Sequence, residues 1–172
     1  DDQDEYLLCF NLKDGKPLWK LKTGEAWNSG KPTWQSSRST PTVDGDRVYV
    51  LTPFGMLVCA STDGTEIWRR DLKNEFDGKK ADSWGYSESV LIDGNKVVCT
   101  PGCPENTMVA LNKNNGEKIW SSQRPEDRGA GHASIAVANI GGVKVYVTTT
   151  GSGAMGVRAE DDHLAGLQRI DA

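Results

Sequence analysis

Apolar residues along this chain fall into short runs, many of them alternating with polar ones, and nearly every run ends at a turn signal. Alternation with a period of two places one face of an extended strand against a core, whereas a continuous short run suits a strand buried on both faces. The pattern predicts strands at YLLCFN and PLWKLK, then at 39–43, 47–52, 56–61 and 66–72. A third group falls at 87–92, 96–100, 107–112 and 118–123, and a fourth at 134–139, 143–150 and 156–160. Asp-Gly or Asn-Gly lies between several neighbouring runs, as in VDGDRVYV (43–50) and IDGNKVVC (92–99), and that pair is the strongest short-range hairpin signal. No segment sustains a helical period.

The strands come in repeating groups. CFNLKDGKPLW (9–19), CASTDGTEIW (59–68) and ALNKNNGEKIW (110–120) each carry a glycine followed four residues later by tryptophan: Gly15/Trp19, Gly64/Trp68 and Gly116/Trp120. The tryptophans are 49 and 52 residues apart, and the two Asp-Gly hairpins are 49 apart. Two independent motifs at one interval define a repeat of roughly 50 residues. A four-stranded unit with two apolar faces cannot bury both alone, and radial stacking of such sheets is the propeller solution. The fold class expected is therefore all-β, a β-propeller of four-stranded antiparallel blades. The chain reads as a single partial domain, 1–172, with blade units at about 6–22 (partial), 38–72, 87–123 and 132–170 (degenerate). Trp19, Trp68 and Trp120, with the turn glycines Gly15, Gly64 and Gly116, are assigned to packing between blades.

The totals narrow the partners. The formal charge of −4, without a Lys/Arg run, argues against a nucleic-acid footprint. The apolar stretches are far shorter than the ~20 residues a membrane span needs. The chain opens on Asp1 and Asp2, as a mature piece or an excised fragment does. Cys9 and Cys59 sit inside strand patterns and read as small hydrophobes. Cys99 and Cys103, spaced C-x3-C, read either as a local disulfide or as one core thiol and one loop thiol.

The run ALNKNNGEKIW resembles the tryptophan-docking repeat of quinoprotein propellers, among them the pyrroloquinoline quinone (PQQ) dependent alcohol dehydrogenases and the outer-membrane assembly lipoprotein propeller. SRSTPTVDGDRVYVLTPFGMLVCASTDGTEIWRRDL and SWGYSESVLIDGNKVVCTPG resemble the PQQ-like repeat proteins of planctomycete-type bacteria. The resemblance covers about residues 6–162. It implies the fold, and work in the periplasm or outside the cell. Under it, PQQ with calcium is the cofactor of the enzymes, and a quinone site needs a carboxylate base, calcium ligands, a stacking tryptophan and a vicinal disulfide. Adjacent cysteines are absent, and no calcium constellation is legible. No Ser-His-Asp order, phosphate loop or histidine pair appears either. No catalytic or metal-ligating residue is therefore assigned, and no cofactor is expected.

Two departures from the resemblance matter. Such propellers close with more blades than this chain supplies, so its open blade faces are expected to meet missing blades or a second copy. The fourth unit also decays, because Asp162 and Gly166 stand where a turn glycine and a tryptophan belong.

Loop length separates two faces. The first–second and third–fourth strand turns are short and stereotyped, as structural turns are. The blade-to-blade crossings at 23–38, 73–88 and 123–133 are long and share the other face with the turns at 52–55, 100–106 and 150–155. Loops longer than a turn needs are where function concentrates. That face carries Trp27, Trp34, Arg38, Trp84, Tyr86, Glu88, Arg128 and His132. Arg38, Trp84, Tyr86, Glu88 and His132 are the candidate ligand-binding residues, with Arg38, Glu88 and His132 expected near the mouth of a central channel. His163 receives no role. The function expected is a non-catalytic scaffold binding a protein, peptide or glycan; the alternative is a fragment of a PQQ-dependent oxidoreductase.

Overall fold

The computed structural model describes residues 3–28, 36–161 and 164–168. Strands β1 (Asp4–Phe10) and β2 (Pro17–Glu25) form the two-stranded sheet 1. Sheet 2 runs β3 (Thr42–Asp44), β4 (Arg47–Leu51), β5 (Met56–Ser61) and β6 (Glu66–Asp71), followed by the helical turn α1 (Leu72–Glu75). Sheet 3 runs β7 (Leu91–Asp93), β8 (Lys96–Cys99), β9 (Met108–Asn112) and β10 (Lys118–Ser122). Sheet 4 runs β11 (Ala136–Ile140), β12 (Val143–Thr150), β13 (Gly153–Arg158) and β14 (Leu164–Gln168). Every ladder within these sheets is antiparallel between chain neighbours, so the fold is all-β, an incomplete β-propeller.

Most strands fall where the polar–apolar pattern puts them, and β5 and β12 match it residue for residue. Three differences have physical reasons. The first strands β3 and β7 start later than expected because the residues before them bond across to the next sheet. Thr40 N–H donates to Ser89 Oγ at 2.9 Å, and Ser89 N–H to Ser134 Oγ at 2.9 Å. The helical turn α1 gave no signal because one turn is too short to show a period. It is held by a reciprocal cap, in which Asp71 accepts from the backbone of Lys73 and Asn74 while Glu75 accepts from Asp71 N–H. The fourth unit is also more complete than its sequence suggests. β14 pairs with β13 through Ala154↔Gln168 and Met155↔Leu167. Ladder formation needs backbone donors and acceptors, not the glycine and tryptophan missing from that segment.

The sheets bury alternate sides of their strands against one another. From sheet 2, Val48, Val50 and Val58 pack with Leu7, Trp19 and Leu21 of sheet 1. The intervening Tyr49, Leu51, Leu57 and Cys59 pack with Val97, Cys99, Val109 and Leu111 of sheet 3. Val98, Met108 and Ala110 then turn to Tyr146, Met155 and Val157 of sheet 4. The period of two thus builds two cores per central sheet.

Each indole sits in one of these seams. Trp19 lies against Gly64 and donates Nε1–H to Thr62 O at 2.9 Å. Trp68 lies against Gly116 and donates to Lys113 O at 3.0 Å. Trp120 stacks on Tyr146 at 6.2 Å, and its buried Nε1 has no acceptor among the described residues. The turn that would receive Trp120 is the one in the degenerate fourth unit, and it includes residues 162 and 163, which lie outside the described residues.

Gly116 serves its seam in two ways: its φ is +72°, and an added Cβ would stand 2.8 Å from the Trp68 ring. Gly94 has a similar φ of +61° but open space around it. Alanine at Gly94 is therefore expected to lose about 1 kcal/mol for the left-handed backbone alone. Alanine at Gly116 adds about 1–3 kcal/mol for overlap with the indole. Urea unfolding of the two variants measures the difference; equal losses would mean that the ring is not seated on that glycine.

Candidate binding site on the long-loop face

The long connections carry few apolar residues with which to build a core of their own, so they are held by hydrogen bonds to neighbouring loops. The crossing after α1 joins the crossing before sheet 4 through Ala130 N–H to Lys79 O at 2.8 Å and Ala81 N–H to Ala130 O at 3.1 Å. Tyr86, 4% exposed, donates its hydroxyl to Pro101 O at 2.8 Å. Arg124, 5% exposed, donates to Ser152 O at 2.7 Å and Thr150 Oγ1 at 3.1 Å. The face is thus a bonded platform.

The candidate residues occupy different environments within it. Arg38 is exposed; it donates to Trp84 O at 2.5 Å, and its guanidinium lies 5.5 Å from the Trp84 ring centroid. Trp84 is half-buried beneath it. Glu88 does not open to solvent: it is 3% exposed, and Oε1 accepts Thr100 N–H at 2.6 Å. It is therefore committed to the backbone at the end of β8 rather than open to solvent, as a residue at a channel mouth was expected to be. Burial raises its carboxyl to about 7. Burial, and secondarily the Glu88 carboxylate, holds the Cys99 thiol protonated well above its usual range. Of the two readings left open for Cys99 and Cys103, the local disulfide is not formed. Both thiols are free and buried, and Cys103 Sγ contacts Phe76 O and Asn106 N, each at 3.1 Å. Trp34 and His163 lie outside the described residues.

His132 stands at the centre of a contact that the sequence did not reveal. Its Nδ1 meets Ser87 Oγ at 2.8 Å and its Nε2 meets Asp82 Oδ2 at 2.7 Å. These partners are 45 and 50 positions away in the chain, so no local motif announces them. His132 and Asp82 are both well exposed, and Asp82, unlike Ser87, is among the residues lining the pocket described below. The arrangement ties a crossing to the starts of two inner strands.

The face also contains a pocket of about 250 Å³. Trp27 and Phe54 form one wall, their ring centroids 4.8 Å apart, and Tyr86 forms another. Lys73, Lys79, Lys80 and Asp82 supply its charged groups. Lys80 lies 5.7 Å from the Tyr86 ring centroid and donates to Gly131 O, and burial lowers its pKa. The aromatic members of this pocket were legible in the chain as rim tryptophans and the TPFG turn. The lysines were not, because nothing in a loop sequence says which way a side chain turns.

The described residues do not fit PQQ with calcium. Glu88, the carboxylate expected at the channel mouth, is committed to the Thr100 amide, and among the described residues no three His, Cys, Asp or Glu side chains gather as metal ligands. No catalytic step is derived through that group.

The family model described as outer membrane protein assembly factor BamB matches residues 3–165. Among solved structures, the crystal structure of BamB from Moraxella catarrhalis is similar with a TM-score of 0.63 at 14% identity, covering 97% of this chain and 47% of that one. Quinohemoprotein alcohol dehydrogenase from Comamonas testosteroni is similar with a TM-score of 0.62 at 13% identity, covering 96% of this chain and 33% of that one. At such identities the likeness shows the fold. This chain spans less than half the length of either structure. Among curated proteins, none matches in sequence.

Glu88 makes stability depend on pH. Its carboxyl ionises near 4.5 in the unfolded chain and at about 7 in the folded one. Over that interval the folded state holds a proton that the unfolded state releases, so stability falls as pH rises and levels off above about 7. Glu88→Gln keeps an acceptor for Thr100 N–H but removes the titration. Between pH 4.5 and 7 the unmodified protein is expected to lose about 3 kcal/mol more than this variant. Denaturant curves at a series of pH values measure the gap; parallel profiles would place the Glu88 carboxyl in water.

Proposed function

The chain belongs to the family of PQQ-like β-propeller proteins described as outer membrane protein assembly factor BamB, and from that membership we propose that it is a non-catalytic scaffold that binds a protein partner on its long-loop face. The observation that carries this reading is the grouping of features on that face. The crossings, the aromatic pocket and the Arg38–Trp84 pair lie there, while the opposite side offers tight turns. An aromatic-and-arginine surface over a rigid platform is the composition on which protein interfaces concentrate their binding energy.

The family name speaks of assembly at an outer membrane, which supports work in the periplasm of a bacterium. Among the described residues no helix is long and apolar enough to cross a membrane. A second surface belongs to the architecture. On sheet 1, Leu8 (51% exposed), Phe10 (53%) and Leu18 (60%) alternate with residues that pack on sheet 2. Further blades or a second copy would cover this face, since an apolar sheet face left open invites association.

The test compares the two faces. Arg38→Ala, Trp84→Ala and Phe54→Ala alter the long-loop face; Lys13→Ala and Asp63→Ala alter the short turns. With each variant as bait in an envelope extract, partners held by the unmodified protein are expected to be lost from the first set and kept by the second. Loss confined to the short-turn set would place the interface on the wrong side. Dye reduction after adding PQQ and calcium would replace the scaffold reading with an oxidoreductase.

A further inference from the structure

We propose that the pocket between Trp27, Phe54 and Tyr86 receives an acidic, aromatic-bearing peptide segment of the partner. The inference rests on the scaffold reading above and names the chemistry of what that face holds.

Charge provides the first argument. The whole chain carries a formal charge of −4, yet three of the four charged residues lining this pocket are lysines. Asp82 is the exception, and its Oδ2 is engaged by His132. Lys73 and Lys79 are exposed, and among the described residues neither is in an ion pair. Two unpaired ammonium groups beside an aromatic wall, on an otherwise acidic molecule, complement carboxylates.

Size and polarity provide the second argument. About 250 Å³ falls below the roughly 300–1,000 Å³ of pockets that enclose a whole small ligand. It suits one or two side chains of a chain lying across the face. The Trp27–Phe54 pair offers a ring surface for an apolar or aromatic side chain. Among the described residues the buried Trp27 Nε1–H has no acceptor. The occupant that answers the lysines and the ring wall together is an acidic segment bearing a ring.

The test uses calorimetric titration of the full chain with a short capped peptide in which aspartate and glutamate alternate with phenylalanine. The control peptide carries asparagine and glutamine in place of the acids, and a neutral glucan oligosaccharide is titrated in parallel. The acidic peptide is expected to bind, and to weaken as sodium chloride rises from about 0.05 to about 0.5 M. Lys73→Glu combined with Lys79→Glu is expected to weaken it by about tenfold or more, whereas Lys13→Glu on the short-turn face leaves it within about twofold. Phe54→Ala is expected to weaken both peptides alike, because it removes ring contact and no charge. Circular dichroism confirms that each variant folds. The inference is overturned if the amide control binds as well as the acidic peptide, if the oligosaccharide binds in its place, or if Lys13→Glu does the damage. If partner capture still fails with the long-loop variants while the acidic peptide is not held, this inference falls and the scaffold reading stands. If the peptide is held as described but partner capture follows the short-turn variants, the scaffold reading falls instead.

Discussion

A four-stranded sheet that is apolar on both sides has no stable existence in water, and the rest of this structure follows from that constraint. Strand alternation sends Val48, Val50 and Val58 one way and Tyr49, Leu51 and Leu57 the other. Sheets 2 and 3 therefore each need two neighbours. Trp19 and Trp68 fill the seams near the outer strands, where neighbouring blades diverge, and each ring rests on a glycine of the next sheet. Their indole N–H groups bond to carbonyls of the same turns. Trp19 and Trp68 thus each supply buried area and a directional bond to the next sheet.

The same constraint separates the two ends of the blades. Tight turns hold register at one end and leave little backbone for anything else. At the other end the chain must travel between sheets, and those crossings cannot form a core of their own. They are fixed instead by bonds among themselves, such as Tyr86 to Pro101, Ala130 to Lys79 and buried Arg124 to Ser152. A platform held this way presents rings and charges in stable positions, which is what a recognition surface requires. Glu88 illustrates the difference between location and role: it belongs to this end of the blade, yet its carboxylate serves the Thr100 amide inside the structure.

The strands were legible because alternation and turn chemistry are local, and β5 and β12 occupy the residues that the pattern alone assigns. The candidate surface was legible in part. The sequence shows Tyr86 as an aromatic on a long loop; the structure makes it a buried strut as well as a pocket wall. The sequence shows His132 without its partners, because Ser87 and Asp82 come from 45 and 50 positions away. Lys73 and Lys79 carry no sequence signal, since lysines in a one-turn helix and a loop show no period. The fourth unit reads as decayed for a related reason. Sequence registers a lost glycine and tryptophan, whereas β14 pairs through its backbone, which sequence does not distinguish.

The amino-acid sequence by itself determined the all-β class, the repeat length, the two-faced strands and the division between tight turns and long crossings. Each of these rests on interactions among residues near one another in the chain. Tertiary structure alone decided which crossings meet, that Glu88 turns inward, that Cys99 and Cys103 remain apart as thiols, and that two lysines stand beside the Trp27–Phe54 wall. Those outcomes depend on how successive sheets are rotated about their common stack. That rotation is set by the packing of whole faces, and no single segment encodes it.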